Sequence, residues 1–210
     1  MPSTVVQERF APDAPFRFVG GDPSLDFVNT ADWTSRGLER DRFTDYHRVV
    51  EWARGAGVVS AADARRLSSA ASRQPRQAAA ALDSTQTTRE ILHDVFTALI
   101  AGRGVSTMMD RLNELVADTA GHVRIVREVS GRLVRGWDQL GESPASVLWP
   151  VVWSASELIT SPDVGKLRMC GGTDCGWLYV DRSRNGLRRW CEMSVCGTTE
   201  KNRRRSARDT

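Results

Sequence analysis

The chain predicts a mainly α fold, α+β in detail: a helical N-terminal domain with one β-hairpin, followed by a small C-terminal module built on four cysteines. Three observations carry that prediction. Apolar residues recur at helical spacing, most clearly Ile91, Leu92, Val95, Phe96, Leu99 and Ile100, which gives one buried stripe along a helix. Ahead of the C-terminal tail, only residues 122–137 alternate with the period of two that a half-buried strand requires. All four cysteines lie at or beyond position 170.

Residues 1–17 hold three prolines and no periodicity and read as an extended N-terminal arm; residues 18–163 are assigned to the helical domain and 164–210 to the module. Gly20-Gly21-Asp22-Pro23 is a turn, and Ser24 is placed to cap a short helix over residues 25–30. Asp26, Asn29 and Thr30 are its polar groups. They are candidates for a small-molecule pocket, set against the plainer alternative that they bond to nearby backbone. The polar, Arg-rich segment from Trp33 to Phe43 reads as a loop. Thr44 opens a helix with Tyr46, Val49, Val50 and Ala53 on one face, closed by Gly55 and Gly57.

Ser60 begins a further helix to about Ser72, and Pro75 suits the first turn of the next. That segment runs to residue 101 as one long helix or as two joined near Ser84, with Gly102 and Gly104 stopping it. His93, beside its apolar face, reads as a packed core group. Ser106 starts a helix carrying Met109, Leu112, Leu115 and Val116. The alternating stretch, interrupted by Gly131, is a hairpin whose Arg124, Arg127, Arg132 and Arg135 form a solvated face. The last helical run of the domain follows Ser143-Pro144, with Pro150 kinking it or marking its true start.

No apolar run approaches the roughly 18 residues of a membrane span, so no membrane partner is expected. With no cleavable targeting sequence either, the expected location is cytoplasmic. Walker, G-x-G-x-x-G, G-x-S-x-G and H-E-x-x-H signatures are absent, and the chain is not expected to be an enzyme.

Cys170-x4-Cys175 and Cys191-x4-Cys196, separated by fifteen residues, have the form of a tetrathiolate metal site: each short loop aims two sulfurs at one point. The expected cofactor is one structural Zn2+, held by Cys170, Cys175, Cys191 and Cys196. Four thiolates leave no open position for a catalytic water. Two disulfides are the alternative, which no sign of an oxidising compartment supports.

Charge is concentrated in the same tail. Residues 166–210 hold eleven basic and five acidic groups, while the rest of the chain holds 18 basic and 21 acidic. Such polarity suggests a polyanionic partner. If residues 197–208 form a helix, Lys201, Arg204, Arg205 and Arg208 share one stripe, suited to a row of phosphates. Arg203 lies beside them, and Arg182, Arg184, Arg188 and Arg189 form a second group between the cysteine pairs. Leu167–Cys170 and Trp177–Asp181 read as the arms of a knuckle hairpin, with Trp177, Leu178, Tyr179 and Trp190 as a small core.

The run C-x4-C-x-W-L-Y-V-D-R-S-R-N-x-x-R-R-W-C-x-M-x-x-C-G closely resembles the CGNR zinc-finger domain of bacterial proteins. Gly20-Gly21, the run Leu25-Asp26-Phe27-Val28-Asn29-Thr30 and the run from Leu158 to Pro162 are similar to the ABATE domain that precedes it in those proteins. The resemblance implies a stress-induced transcriptional regulator that binds duplex DNA through its zinc finger, with a helical domain that senses a small-molecule effector or forms a homodimer. One departure stands out: the family's Cys-Gly-Asn-Arg reads Cys196-Gly197-Thr198-Thr199 here. A contact made by that arginine is therefore missing, although Lys201 and Arg203–Arg205 are near enough to compensate. RNA binding, or docking of an acidic protein partner, are the alternative readings.

Overall fold

The structure is a computed structural model and describes residues 15–34, 37–128 and 130–207. Most of the expected N-terminal arm, and Arg208, lie outside the described residues. Seven α-helices are found among them: α1 (Pro23–Val28), α2 (Tyr46–Gly55), α3 (Ala61–Arg73), α4 (Pro75–Ile100), α5 (Ser106–Ala120), α6 (Trp149–Thr160) and α7 (Thr198–Ser206). Three two-stranded antiparallel sheets accompany them: β1 (Ala31–Thr34) with β2 (Gly37–Asp41), β3 (Val123–Arg127) with β4 (Leu133–Trp137), and β5 (Leu167–Met169) with β6 (Leu178–Val180).

Helix α4 is the axis of the molecule. It is a single helix of 26 residues with Pro75 in its first turn, where the missing N–H costs nothing. α1, α2, α3, α5 and β5 all pack on it. Leu92, Val95 and Phe96 are fully buried there, as their spacing predicts, together with Thr85, Thr88 and Arg89. Helix starts follow local chemistry. Ser60 and Asp63 form a reciprocal capping box at α3. Pro150 marks the start of α6, which is preceded by a 3-10 turn over Pro144–Leu148. Two expected caps move by a residue or two: Asp22, not Ser24, caps α1 by accepting from the Ser24 N–H, and Asp45, not Thr44, caps α2 through the Arg48 N–H. A carboxylate is the stronger acceptor at a helix N-terminus.

The segment expected as a loop after Trp33 is a second hairpin of the helical body, with Ala31 opposite Asp41 and a bulge between Asp32 and Trp33. Its outer strand β2 is exposed and polar, so it shows no alternation. Its charges do not all face water, however. Arg42 is 2% exposed, bonds to Asp32 Oδ1 at 2.9 Å and lies 5.3 Å from the Trp177 ring. Arg89 reaches from α4 with no exposure at all, making a two-pronged pair with the Asp41 carboxylate and donating to Thr30 Oγ1 at 3.1 Å. Buried cations on α4 and after β2 thus hold a hairpin that hydrophobic patterning does not announce. Trp33 lies on its inner face, stacked on His93 with ring centroids 3.8 Å apart.

Removing one partner of a buried ion pair leaves the other charge without compensation. Asp41→Asn is therefore expected to lower unfolding free energy by about 3 kcal/mol. Urea denaturation checks this, and a loss below about 0.5 kcal/mol would show that the Arg89 guanidinium does not need the carboxylate.

Candidate metal centre and basic surface

The finger begins where β5 delivers Cys170. Its backbone N–H bonds to the Trp177 carbonyl at 2.9 Å, continuing the β5–β6 pairing and closing a turn that holds Cys175. The second cysteine pair spans a wide π-type turn, Met193–Gly197, that leads directly into α7. The four sulfurs lie within 4.8 Å of one another. Cys191 Sγ is 3.8 Å from Cys175 Sγ and 3.6 Å from Cys196 Sγ. A tetrahedral zinc with Zn–S bonds of about 2.3 Å needs sulfurs about 3.8 Å apart. A disulfide needs about 2.05 Å, and all four cysteines are free.

The donor set therefore fits one structural Zn2+. Sulfur contacts from Cys175, Cys191 and Cys196 hold the Cys170 thiol far below its ordinary value. The Cys191 N–H donates to Cys170 Sγ at 3.2 Å, a bond that stabilises a thiolate and orients it. Trp177, Tyr179 and Trp190 surround the sulfurs as expected, together with Val19, whereas Leu178, expected beside them, packs into the core of the helical body because it faces that side of β6.

Three further devices shape the finger. Asp181 accepts from the Ser183 hydroxyl and N–H and from the Arg188 N–H, and these bonds lower its pKa. It thereby pins both ends of the 182–188 loop, which reverses at Gly186 with φ +64°. Arg188 stacks on Tyr179 at 4.1 Å and donates to the carbonyls of Val19, Trp190 and Cys191. Glu200, 3% exposed, accepts from the Thr173 hydroxyl and N–H, which bring its pKa down to about 2, and it also pairs with Arg203. This latch ties α7 to the first cysteine turn. The only sign of it in the sequence is one acid within a basic helix.

The nine basic candidates consequently divide. Arg188 is tied up inside the finger, Arg203 is exposed but pairs with Glu200, and Arg182 pairs with Asp163 and bonds to the Gly21 carbonyl. Arg184, Arg189, Lys201, Arg204 and Arg205 are exposed and make no ion pair among the described residues. Arg189, Lys201, Arg204 and Arg205 line one open cleft of about 380 Å3 beside Trp190 and Met193. Arg208 lies outside the described residues. Of the two threonines replacing Asn-Arg, Thr198 donates its hydroxyl to the Met193 carbonyl at 3.1 Å and steadies the turn.

Asp26, Asn29 and Thr30 sit at the seam between the helical body and the finger, with their polar atoms engaged internally. Asn29 Nδ2 donates to the Leu178 carbonyl and Oδ1 accepts the Leu178 N–H, both at 2.8 Å. Thr30 Oγ1 donates to the Phe27 carbonyl. Asp26 accepts the Gly20 N–H at 2.7 Å, and burial pushes its pKa up to about 6 against the pull of that bond. Gly176 extends the seam: its N–H donates to the Trp33 carbonyl at 2.7 Å, and a Cβ there would meet that oxygen at 2.9 Å.

A helical body closed by a tetrathiolate knuckle defines a zinc-finger protein. The family described as "Putative stress-induced transcription regulator", ABATE, matches residues 21–162, and the CGNR zinc finger matches residues 166–209. The chain belongs to the ABATE family and ends in a CGNR finger, the plan of a zinc-binding regulator. No curated protein matches it significantly. Among the described residues, no helix is long and apolar enough to cross a membrane.

Two outcomes follow from this geometry. Elemental analysis is expected to find one zinc per chain. Cys191→Ser should lose it, with hydrogen-exchange protection falling across 181–206 while α4 stays protected; full protection of the finger without metal would contradict a structural zinc. The second concerns Asp26, whose folded pKa lies above its ordinary 3.8. Burial then favours the protonated form, so this group's contribution is best below pH 4 and is lost as pH rises through 6. Asp26→Asn, which keeps an acceptor for Gly20, should match the wild type near pH 4 and exceed it by about 2–3 kcal/mol above pH 7. Denaturation at both pH values checks the crossover.

Proposed function

We propose that this protein is a zinc-dependent, DNA-binding transcriptional regulator whose finger grips the phosphates of duplex DNA. The observation that carries the reading is the cleft beside the knuckle. Arg189 from the loop and Lys201, Arg204 and Arg205 from α7 converge there, and Glu200, the acid beside them, is turned inward to Thr173 and Arg203. Zinc orders the turn that starts α7, so metal binding and presentation of the cations are one event. The four thiolates leave a formal charge of about −2 at the metal, but it is set behind Trp190 and Trp177 and does not cancel the cationic face.

The helical body takes the part of effector sensor or dimerisation unit in this reading. The seam supports that role, because a side chain of the body, Asn29, completes the hydrogen bonding of the finger's β6. The activity is binding rather than catalysis, and a reducing cytoplasm would keep the thiolates available for zinc.

Each phosphate contact adds about 0.9 to the slope of log K against log salt for B-DNA. A variant with Lys201, Arg204 and Arg205 changed to alanine should therefore lower that slope by about 2.7 while retaining its zinc. Arg203→Ala alone, by contrast, should act through stability of the Glu200 latch. The readout is fluorescence anisotropy with a labelled duplex across a salt series. Equal slopes would overturn the reading, and tighter binding to a structured RNA or an acidic peptide at matched salt would transfer it to that partner.

A further inference from the structure

We infer that the tip of the finger loop is a wedge for the minor groove of duplex DNA, with Leu187 inserted at a base step between Arg184 and Arg189. The inference rests on the duplex-DNA reading above and adds how the finger engages the bases.

Leu187 is 71% exposed and Met193, across the same surface, is 65% exposed. Exposed apolar side chains are ordinary when scattered, but these two share an open cleft of about 560 Å3 with Arg189, Trp190 and Glu192, whose carboxylate is paired with Arg17. Leu187 belongs to neither buried apolar cluster of the fold. The loop is held instead by Asp181 at the Ser183 and Arg188 N–H groups, by the Arg188 guanidinium on three carbonyls, and by the left-handed turn at Gly186 immediately before the leucine. A stiff loop that carries an unburied leucine at its tip is organised in advance for a partner that will bury it.

The surroundings select the partner. Arg184 and Arg189 flank the leucine in sequence and are exposed, with no carboxylate paired to either among the described residues. The cleft under Leu187 and the cleft bearing Lys201, Arg204 and Arg205 have Arg189, Trp190 and Met193 in common, so wedge and helix cations lie along one continuous surface. A polyanion with an apolar interior reachable between its charges matches that order. Minor-groove proteins combine these parts: arginines drawn to the groove's negative potential and a leucine or methionine wedge that unstacks one step and bends the duplex away. A single-stranded partner would call for open aromatic faces on which bases stack. Here Trp177 and Tyr179 are buried and Arg189 covers Trp190 at 5.3 Å.

The test uses the full zinc-loaded chain and a 24-base-pair A·T-rich duplex labelled at both ends for energy transfer. A second copy of the duplex carries 2-aminopurine in its central steps. Wild type is expected to shorten the end-to-end distance and to raise 2-aminopurine emission at saturation. Leu187→Ser, which leaves both buried apolar clusters intact, should bind within about threefold of wild type at low salt, because phosphate contacts dominate that affinity, and should lose both signals. Leu187→Met should restore them. Binding without bending, or bending that survives Leu187→Ser, overturns the wedge and leaves the phosphate-contact reading standing. If wild type does not bind the duplex at low salt, that reading fails and the wedge fails with it.

Discussion

The side-chain amide of Asn29 and the backbone of Leu178 exchange two hydrogen bonds across 149 residues of chain. Much of the architecture depends on that exchange. β6 is the second strand of a two-stranded sheet, so one edge would otherwise leave buried donors and acceptors unmet, at a cost of about 1–3 kcal/mol each. Asn29 acts as a surrogate third strand one residue long. Around it, Val180 N–H bonds to Gly20, Gly176 N–H to Trp33, and Trp177 Nε1 to Ala31. Leu167, Leu178 and Val180 of the finger accordingly belong to the same apolar core as α1, α2 and α4. A module of this size has little core of its own, and here one face of its hairpin is stabilised by the helical body and the other by zinc.

The same economy explains how the arginines are divided. A guanidinium has five donors in a plane and tolerates an aromatic face, so it can satisfy several carbonyls at once where the chain lacks regular structure. Arg188 does this for the 182–191 loop, while Arg42 and Arg89 hold the β1–β2 hairpin through the carboxylates of Asp32 and Asp41, the Thr30 hydroxyl and the Asn29 carbonyl. These residues look like surface charge in a sequence and behave as scaffold. What remains outside, on the loop flanks and α7, is the fraction of the positive charge that a partner can meet.

Legibility in the sequence follows the range of the interaction. Cysteine spacing announces the metal centre because all four ligands lie within one short stretch and each pair is closed by a local turn. Helices α2 to α6 are legible because their apolar stripes are local and periodic. The β1–β2 hairpin is not. Its order comes from Arg89, 48 residues away, and from Asp32 and Arg42, which pair with each other in the interior instead of facing solvent. Asp26, Asn29 and Thr30 were visible as polar groups on a short helix, but nothing local shows that their partners include the finger and α4. Division of the nine basic residues was likewise invisible, since it is set by Glu200, Asp163 and a cluster of loop carbonyls.

The route from helical body to α7 has few links, and each is a polar contact with defined partners. Asn29, at the C-terminal end of α1, fixes β6, and β6 leads into Asp181, which sets the 182–188 loop. On the other side Trp33 holds Gly176 next to Cys175, and Thr173 of the same turn holds Glu200 on α7. Were an effector or a second subunit to bind the body, it could alter the finger only by binding two arrangements of these links unequally. The paired hydrogen bonds at 2.8 Å across the seam either hold or break. A seam of that kind favours discrete states over graded ones.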